Sequence, residues 1–282
     1  MKILVTGSNG MLGQDLIPIL KENHEAIPFP KYKLDITKID SAHKAVLETN
    51  PDLVINCAAY TNVDGAENET YKAFSVNGTG VQNLALACEE MGIPICHIST
   101  DYVFDGGKRT PYTPFDNTNP INRYGESKLA GEKYIQWITN RFYIIRTSWL
   151  YGKGGKNFVS TIRRTLKEQS VVRVVHDQTG SPTSTVMLSH AIKSLIETGA
   201  YGIYHYTDET DGGISWYDFA RAVADYTGSD TELVPITTEE FPRPAKRPAY
   251  SVLDTGIFYM VTGQEPVGWK EPLKDYLKLS IA

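Results

Sequence analysis

The 282-residue sequence predicts an α/β protein with a doubly wound parallel sheet and a smaller C-terminal α/β lobe. Three observations carry this. From residue 2 to residue 147, short aliphatic and β-branched runs alternate with segments of helical period. The run at 52–56 (DLVIN) is apolar nearly throughout, as expected of a strand covered on both faces. The first run, 2–6 (KILVT), ends in Gly7, Gly10 and Gly13 and leads straight into a helix.

The elements follow in order. After strand 2–6, Leu12, Leu16, Ile19 and Leu20 recur at helical spacing up to about residue 21. Residues 24–29 read as a second strand, and 38–48 as a helix with Ile39, Ala42, Val46 and Leu47 on its apolar face. Strand 52–56 is followed by one long helix over 67–91, ended by Gly92. Strand 93–99, a polar loop to about Asn122, helix 123–140 and strand 142–147 complete the alternation. Beyond about 150, Gly, Pro and Thr become frequent and the rhythm loosens. Helices at 156–168, 184–198 and 215–228 and strands at 171–175 and 202–206 remain, one of the strands a candidate to return to the sheet. Residues 242–248 (PRPAKRP) read as an irregular loop.

Composition excludes several function classes. Lys+Arg 28 against Asp+Glu 33 gives a net charge of −5, which argues against a nucleic-acid surface or a polybasic lipid patch. No apolar run approaches a membrane span, and the opening apolar stretch is too short for a signal sequence. The three cysteines, Cys57, Cys88 and Cys96, sit in apolar segments and read as reduced packing residues of a cytoplasmic protein.

The turn Gly7-x-x-Gly10-x-x-Gly13 carries the first chemistry. Glycines let the backbone turn tightly and approach a pyrophosphate, and the helix behind them offers free N–H groups and a positive dipole end. Gly7, Asn9, Gly10, Met11, Leu12 and Gly13 are therefore candidate dinucleotide contacts, and residues 1–150 the dinucleotide-binding domain, with 151–282 mainly the substrate domain. The acid expected about 20 residues on, for a ribose hydroxyl, is not clearly present. Lys31 or Lys33 after the second strand can instead meet a 2′-phosphate, which favours NADPH with NADH as the alternative. A tight turn with no ligand, and lysines that are merely solvated, are the plainer readings.

Tyr124 and Lys128 lie four apart on one face of a predicted helix. Reduction of a ketone needs a proton for the oxygen while hydride reaches the carbon. A tyrosine tuned by a nearby ammonium can supply it. Alone the pair is a weak signal. Strand 93–99 adds Thr100 at its carboxyl end, where ligands sit in doubly wound sheets, with Ser99 as a rival hydroxyl. Strand 52–56 likewise runs into the small residues Ala58 and Ala59 before Tyr60, which lets a cofactor lie close.

The order of these motifs resembles that of the extended short-chain dehydrogenase/reductases, whose fold is Rossmann-like. The fuller pattern is similar to the dTDP-4-dehydrorhamnose reductase family: Ala58-Ala59-Tyr60-Thr61-x-Val63-Asp64, Val76-Asn77, Ser99-Thr100-Asp101-Tyr102-Val103-Phe104, Tyr124-x-x-x-Lys128 and Arg146-Thr147-Ser148-Trp149. Asn157-Phe158, Gly180-x-Pro182-Thr183 and Arg247-Pro248 extend it nearly to the end of the chain. The resemblance implies NAD(P)H-dependent reduction of the 4-keto group of dTDP-4-dehydro-L-rhamnose, the last step in making dTDP-L-rhamnose for cell-surface polysaccharide. It implies Tyr124 as proton donor, Lys128 as its tuner and ribose contact, and Thr100 as the substrate-oxygen contact. Leu34-Asp35-Ile36 resembles the adenine-contacting segment, which adds Asp35 and Ile36 to the cofactor set, and the Val76-Asn77 motif adds Asn77. Tyr102, Val103, Phe104, Trp149, Asn157 and Arg247 become candidate dTDP-sugar contacts. Arg243 and Lys246 are candidates for the rim. Some members of the family are magnesium-bridged dimers. Asp15 matches one ligand of such a bridge, but the helix after Thr183 offers no carboxylate partner, so no metal and a monomer are expected. Rival readings are a non-catalytic binding subunit and an epimerase or 4,6-dehydratase. The filled Tyr/Lys/Thr set counts against the first, and the absence of Glu after Asp101 against a dehydratase.

Overall fold

The structure, a computed structural model, describes residues 1–279. In chain order the N-terminal part runs β1 (Lys2–Thr6), α1 (Met11–Leu20), β2 (Glu25–Phe29), α2 (Ile39–Thr49) and β3 (Leu53–Asn56). It continues through α3 (Val63–Asn68), α4 (Thr70–Phe74), α5 (Gly80–Met91), β4 (Ile95–Thr100), α6 (Arg123–Ile138) and β5 (Phe142–Thr147). The remainder is β6 (Leu150–Tyr151), α7 (Phe158–Glu168), β7 (Val171–Val175), β8 (Thr179–Gly180), β9 (Thr183–Ser184), α8 (Thr185–Thr198) and β10 (Gly202–His205). It closes with β11 (Ile214–Ser215), α9 (Trp216–Thr227), β12 (Glu232–Ile236), α10 (Gly256–Thr262) and α11 (Lys270–Leu279).

Six strands form one parallel sheet in the order β10-β5-β4-β3-β1-β2. The chain reverses direction across the sheet between β1 and β3, and it is there that a doubly wound sheet opens a crevice at its carboxyl edge. One apolar layer, with Leu16, Leu20, Ile192 and Leu195, packs α1 and α8 on one face. The other layer, with Val46, Val81, Leu84 and Ile135, packs α2, α5 and α6. A separate core around Phe219, Val159 and Trp269 joins α7, α9, α11, β7 and β12 into the second lobe.

One expectation is corrected. The helix over 67–91 is broken: Asn62 caps α3, Glu69 leaves helical geometry, and a π-helical turn at Ser75–Thr79 precedes α5. The wider turn carries Asn77, whose amide exchanges hydrogen bonds with both the N–H and the carbonyl of Tyr60. The second lobe also holds β12, unforeseen, parallel to β7. The strand at 202–205 does return to the main sheet, beside β5.

Asp208, just past β10, is fully buried, and only its Oδ2 has a partner, the Ser184 N–H at 2.9 Å. Burial pushes its carboxyl up to about 8. The folded state therefore holds this proton where an unfolded chain, at an ordinary value near 3.8, releases it. The stabilisation is complete below about pH 4 and is lost as pH rises towards 8. Asp208→Asn keeps an acceptor for Ser184 and removes this loss. Its melting temperature is expected to match the parent near pH 4 and to exceed it by at least about 3 °C at pH 8, by calorimetry. Equal slopes for the two proteins would refute the assignment.

Candidate active site

A cleft of about 660 Å³ lies at the carboxyl edge of β1, β3, β4 and β5, against the second lobe. Its walls include Gly7, Gly10, Met11, Leu12, Gly13, Ala59, Thr100, Tyr102, Tyr124, Lys128 and Trp149, eleven of the sequence candidates. Gly7 has φ +61°, and a Cβ there would stand 2.6 Å from the Ala58 nitrogen. At Gly13 a Cβ would meet the Ser8 backbone at 2.6 Å. The turn can therefore be built only with glycine at these two points, one for the crossing against β3 and one for helix-on-strand packing. Gly10 brings no side chain to cap α1, so the first-turn N–H groups are open to the cleft. This cradle fits a dinucleotide pyrophosphate.

Thr100 ends β4. Its hydroxyl donates to Asp101 Oδ1 at 3.0 Å and accepts from the Tyr102 N–H. Ser99, the rival hydroxyl, is committed to Glu132 Oε1 at 2.5 Å. Burial, then the Asp101 carboxylate, push the Tyr124 phenol up to about 12, with the Thr100 hydroxyl opposing. The Lys128 Nζ turns back toward β4, donating to the Ile98 carbonyl at 2.6 Å and lying 3.3 Å from His97 Nε2. Burial draws its ammonium down to about 8. A phenol near 12 is protonated at neutral pH, the form a proton donor needs.

Other candidates lie outside the cleft walls. Ala58 and Tyr60 sit directly behind them, in the segment that Asn77 staples. Asn77 is fully buried and holds this loop and Ser127, so its part is to position them. Asn9 is exposed, its carbonyl taking the Gln14 side chain. Lys31 and Lys33 stand exposed after β2, Asp35 accepts from the Thr37 hydroxyl, and Ile36 is buried against α5. Val103 and Phe104 are corrected to core: both are fully buried, and Phe104 stacks on Tyr112 at 4.2 Å. Asn157 is likewise corrected. It caps α7, accepting from the Ser160 N–H, while its amide donates to the Gly152 carbonyl, so the side chain closes a loop rather than facing a phosphate. Arg247 pairs with Asp64 at 2.6 Å and donates to the Ala245 carbonyl, and Arg243 shares the same carboxylate. The two guanidiniums hold Asp64 down to about 2 and leave this corner with one net positive charge. Asp15 accepts from Thr185 at 2.5 Å.

The structure adds residues that the sequence reading missed. Trp216, at the start of α9, stacks on Trp149 at 3.5 Å and lines the cleft. Trp149 holds φ +46°, uncommon for a bulky residue, and its ring rests where a Cβ on Gly180 would collide. Lys156 brings an exposed cation to the cleft from the loop whose Gly155 lies against Met11. The double glycine at 154–155 was the available signal for that loop.

A parallel doubly wound sheet with a glycine cradle and a Tyr–Thr–Lys set at one edge defines a dinucleotide-dependent oxidoreductase. The chain belongs to the family described as the RmlD substrate binding domain, which matches residues 1–281. It is 41% identical over 288 aligned positions to a dTDP-4-dehydrorhamnose reductase of Aggregatibacter actinomycetemcomitans, covering 97% of each chain. A solved dTDP-4-dehydrorhamnose reductase from Clostridium acetobutylicum shares 46% identity with a TM-score of 0.96, covering 100% of both chains. One from Bacillus anthracis, in complex with NADP, shares 41% identity with a TM-score of 0.95, over 99% of this chain and 100% of that one. Among the described residues no helix is long and apolar enough to cross a membrane.

Proposed function

We propose that this protein reduces the 4-keto group of dTDP-4-dehydro-L-rhamnose to give dTDP-L-rhamnose. The observation that carries the reading is the placement of Tyr124 and Thr100 in the same cleft as the glycine cradle. NADPH, when bound, supplies the hydride that reaches C4. The protein's residues do the rest. Tyr124 gives its phenolic proton to the C4 oxygen, and Thr100 fixes that oxygen beside it. The C4 carbonyl becomes an alcohol, the cofactor leaves oxidised, and Tyr124 recovers its proton before the next cycle. The first-turn N–H groups of α1 take the cofactor pyrophosphate. Arg247 and Lys156 supply positive charge for the dTDP diphosphate, and the Trp149–Trp216 wall bounds the sugar. The Lys31 position at the carboxyl end of β2 supports NADPH over NADH.

The test is loss of nicotinamide absorbance with the dTDP keto sugar generated in situ, run with NADPH and with NADH. Turnover that requires the keto sugar and is faster with NADPH is expected. Absence of turnover in protein that binds dinucleotide would reject the substrate, and faster NADH oxidation would reject the cofactor preference.

A further inference from the structure

The Thr100 hydroxyl stands between two partners that together decide what it can offer the cleft. The Tyr102 N–H donates to it at 3.2 Å, and a backbone N–H can only donate, so one lone pair of Oγ1 is in use. Its proton goes to Asp101 Oδ1 at 3.0 Å. In this arrangement the hydroxyl shows the cleft only a lone pair, whereas a ketone oxygen needs a donor. Asp101 is buried and lines the same cleft, and its Oδ2 has no hydrogen-bond partner. A carboxylate with one bare oxygen out of water is unfavourable. Burial pushes this carboxyl up to about 6, with the Ser251 and Thr100 hydroxyls opposing. The ionisable groups around it do not hold it as a carboxylate. Tyr102, beside it, and Tyr124, on α6, are phenols that burial pushes up, uncharged at neutral pH. Arg247, a neighbour of Tyr102, is paired with Asp64, and the Lys128 ammonium is turned to the Ile98 carbonyl.

We propose that Asp101 is a positioning residue that sets the direction of the Thr100 hydroxyl: as a carboxylate it takes the Thr100 proton, and as a carboxylic acid it donates to Thr100 and turns that proton toward the C4 oxygen of the substrate. An acid proton on Oδ1 fills the second lone pair of Thr100, while the Tyr102 N–H keeps the first. The hydroxyl proton must then point away from both, into the cleft. Asp101 keeps its proton through the reaction, and Tyr124 remains the group whose proton is transferred. A second effect runs the same way. The Asp101 charge raises the Tyr124 phenol, so a neutral Asp101 leaves Tyr124 the better acid. A ketone held by the Thr100 proton favours the neutral carboxyl, so the keto sugar binds together with one proton. The part in catalysis rests on the proposed reductase reading, and the titration of Asp101 does not.

The first arm uses the protein without substrate. Infrared difference spectra over a pH series are expected to show a carboxylic acid band, lost in Asp101→Asn, that titrates at about 6. Titration at the ordinary value near 3.8 would overturn the proposal. The second arm compares kcat/KM of the parent with that of Thr100→Val, which keeps the shape and removes the hydroxyl. Below the carboxyl's value Asp101 is neutral, and the parent is expected to lead by about tenfold, the worth of one hydrogen bond. Above it the hydroxyl no longer donates to substrate, and the lead is expected to fall to within about twofold. A lead that stays constant across the pH range is what a merely structural Asp101 would give, and would overturn the proposal. With Asp101→Asn as the background, Thr100→Val is expected to cost the same at every pH, and a cost that still falls as pH rises would overturn it. If Asp101→Asn does not fold, the parent and Thr100→Val profiles decide. A parent enzyme inactive on the keto sugar would fail the reductase reading while leaving the infrared titration intact.

Discussion

Tyr124→Phe is expected to fold, to bind NADPH as the parent does, and to lose turnover by about 10²–10⁴-fold, the range typical of a removed general acid. The phenol makes no bond on which the fold depends: its ring packs edge-on to Tyr102 at 5.7 Å, a contact phenylalanine retains. What the variant removes is the proton. Thr100 cannot replace it readily, because an alcohol gives up its proton far less easily than a phenol. The measurement is kcat against KM in steady state, with a calorimetric dinucleotide titration alongside. Loss of cofactor affinity equal to the loss of rate would show a binding role and reject the acid role. Turnover within a few-fold of the parent would do the same.

Arg146→Met is expected to destabilise the fold by about 3–5 kcal/mol. Arg146 on β5 and Glu132 on α6 form a two-pronged pair, 3.0 Å from Nε and 2.8 Å from Nη2, with side-chain exposures of only 3% and 0%. Removing the guanidinium leaves a carboxylate with Ser99 as its remaining partner. The cost is that of a buried unpaired charge, larger than the net worth of the pair. A second substitution, Glu132→Met, is therefore expected to restore part of the loss. Denaturant melts of both single variants and the double variant decide. Strictly additive losses would show that the two groups act independently.

The sheet was legible because each of its strands repeats a simple physical signal. Apolar runs such as 52–56, flanked by turn residues, are hard to bury any other way than between two helical layers. The glycine turn was legible because Gly7 and Gly13 answer to steric demands that no other residue meets. The break at Glu69 was not, since the apolar period runs on through it and the reason for the π-helical turn is distant: the Tyr60 backbone that Asn77 must reach. Asn157 and Phe104 were read as ligand contacts from their motifs. A motif marks a residue the fold needs, and cannot say whether the need is for a ligand or for a cap or core beneath it. Trp216 escaped because its partner Trp149 lies 67 positions earlier, and only the closure of the second lobe brings the rings together.

The return of β10 to the sheet bears on how the molecule is made. A nascent chain ending near residue 150 has β5 as an unpaired edge, because its other neighbour is still unsynthesised. The same fragment leaves bare the face of α1 that α8 covers in the finished protein. The N-terminal half cannot reach its final form on emerging from the ribosome, and waits until residues 185–205 have crossed over from the second lobe. During that interval the exposed edge invites pairing with other chains. Expression at low temperature, or co-expression with a chaperone, is the remedy this topology suggests for a preparation that aggregates.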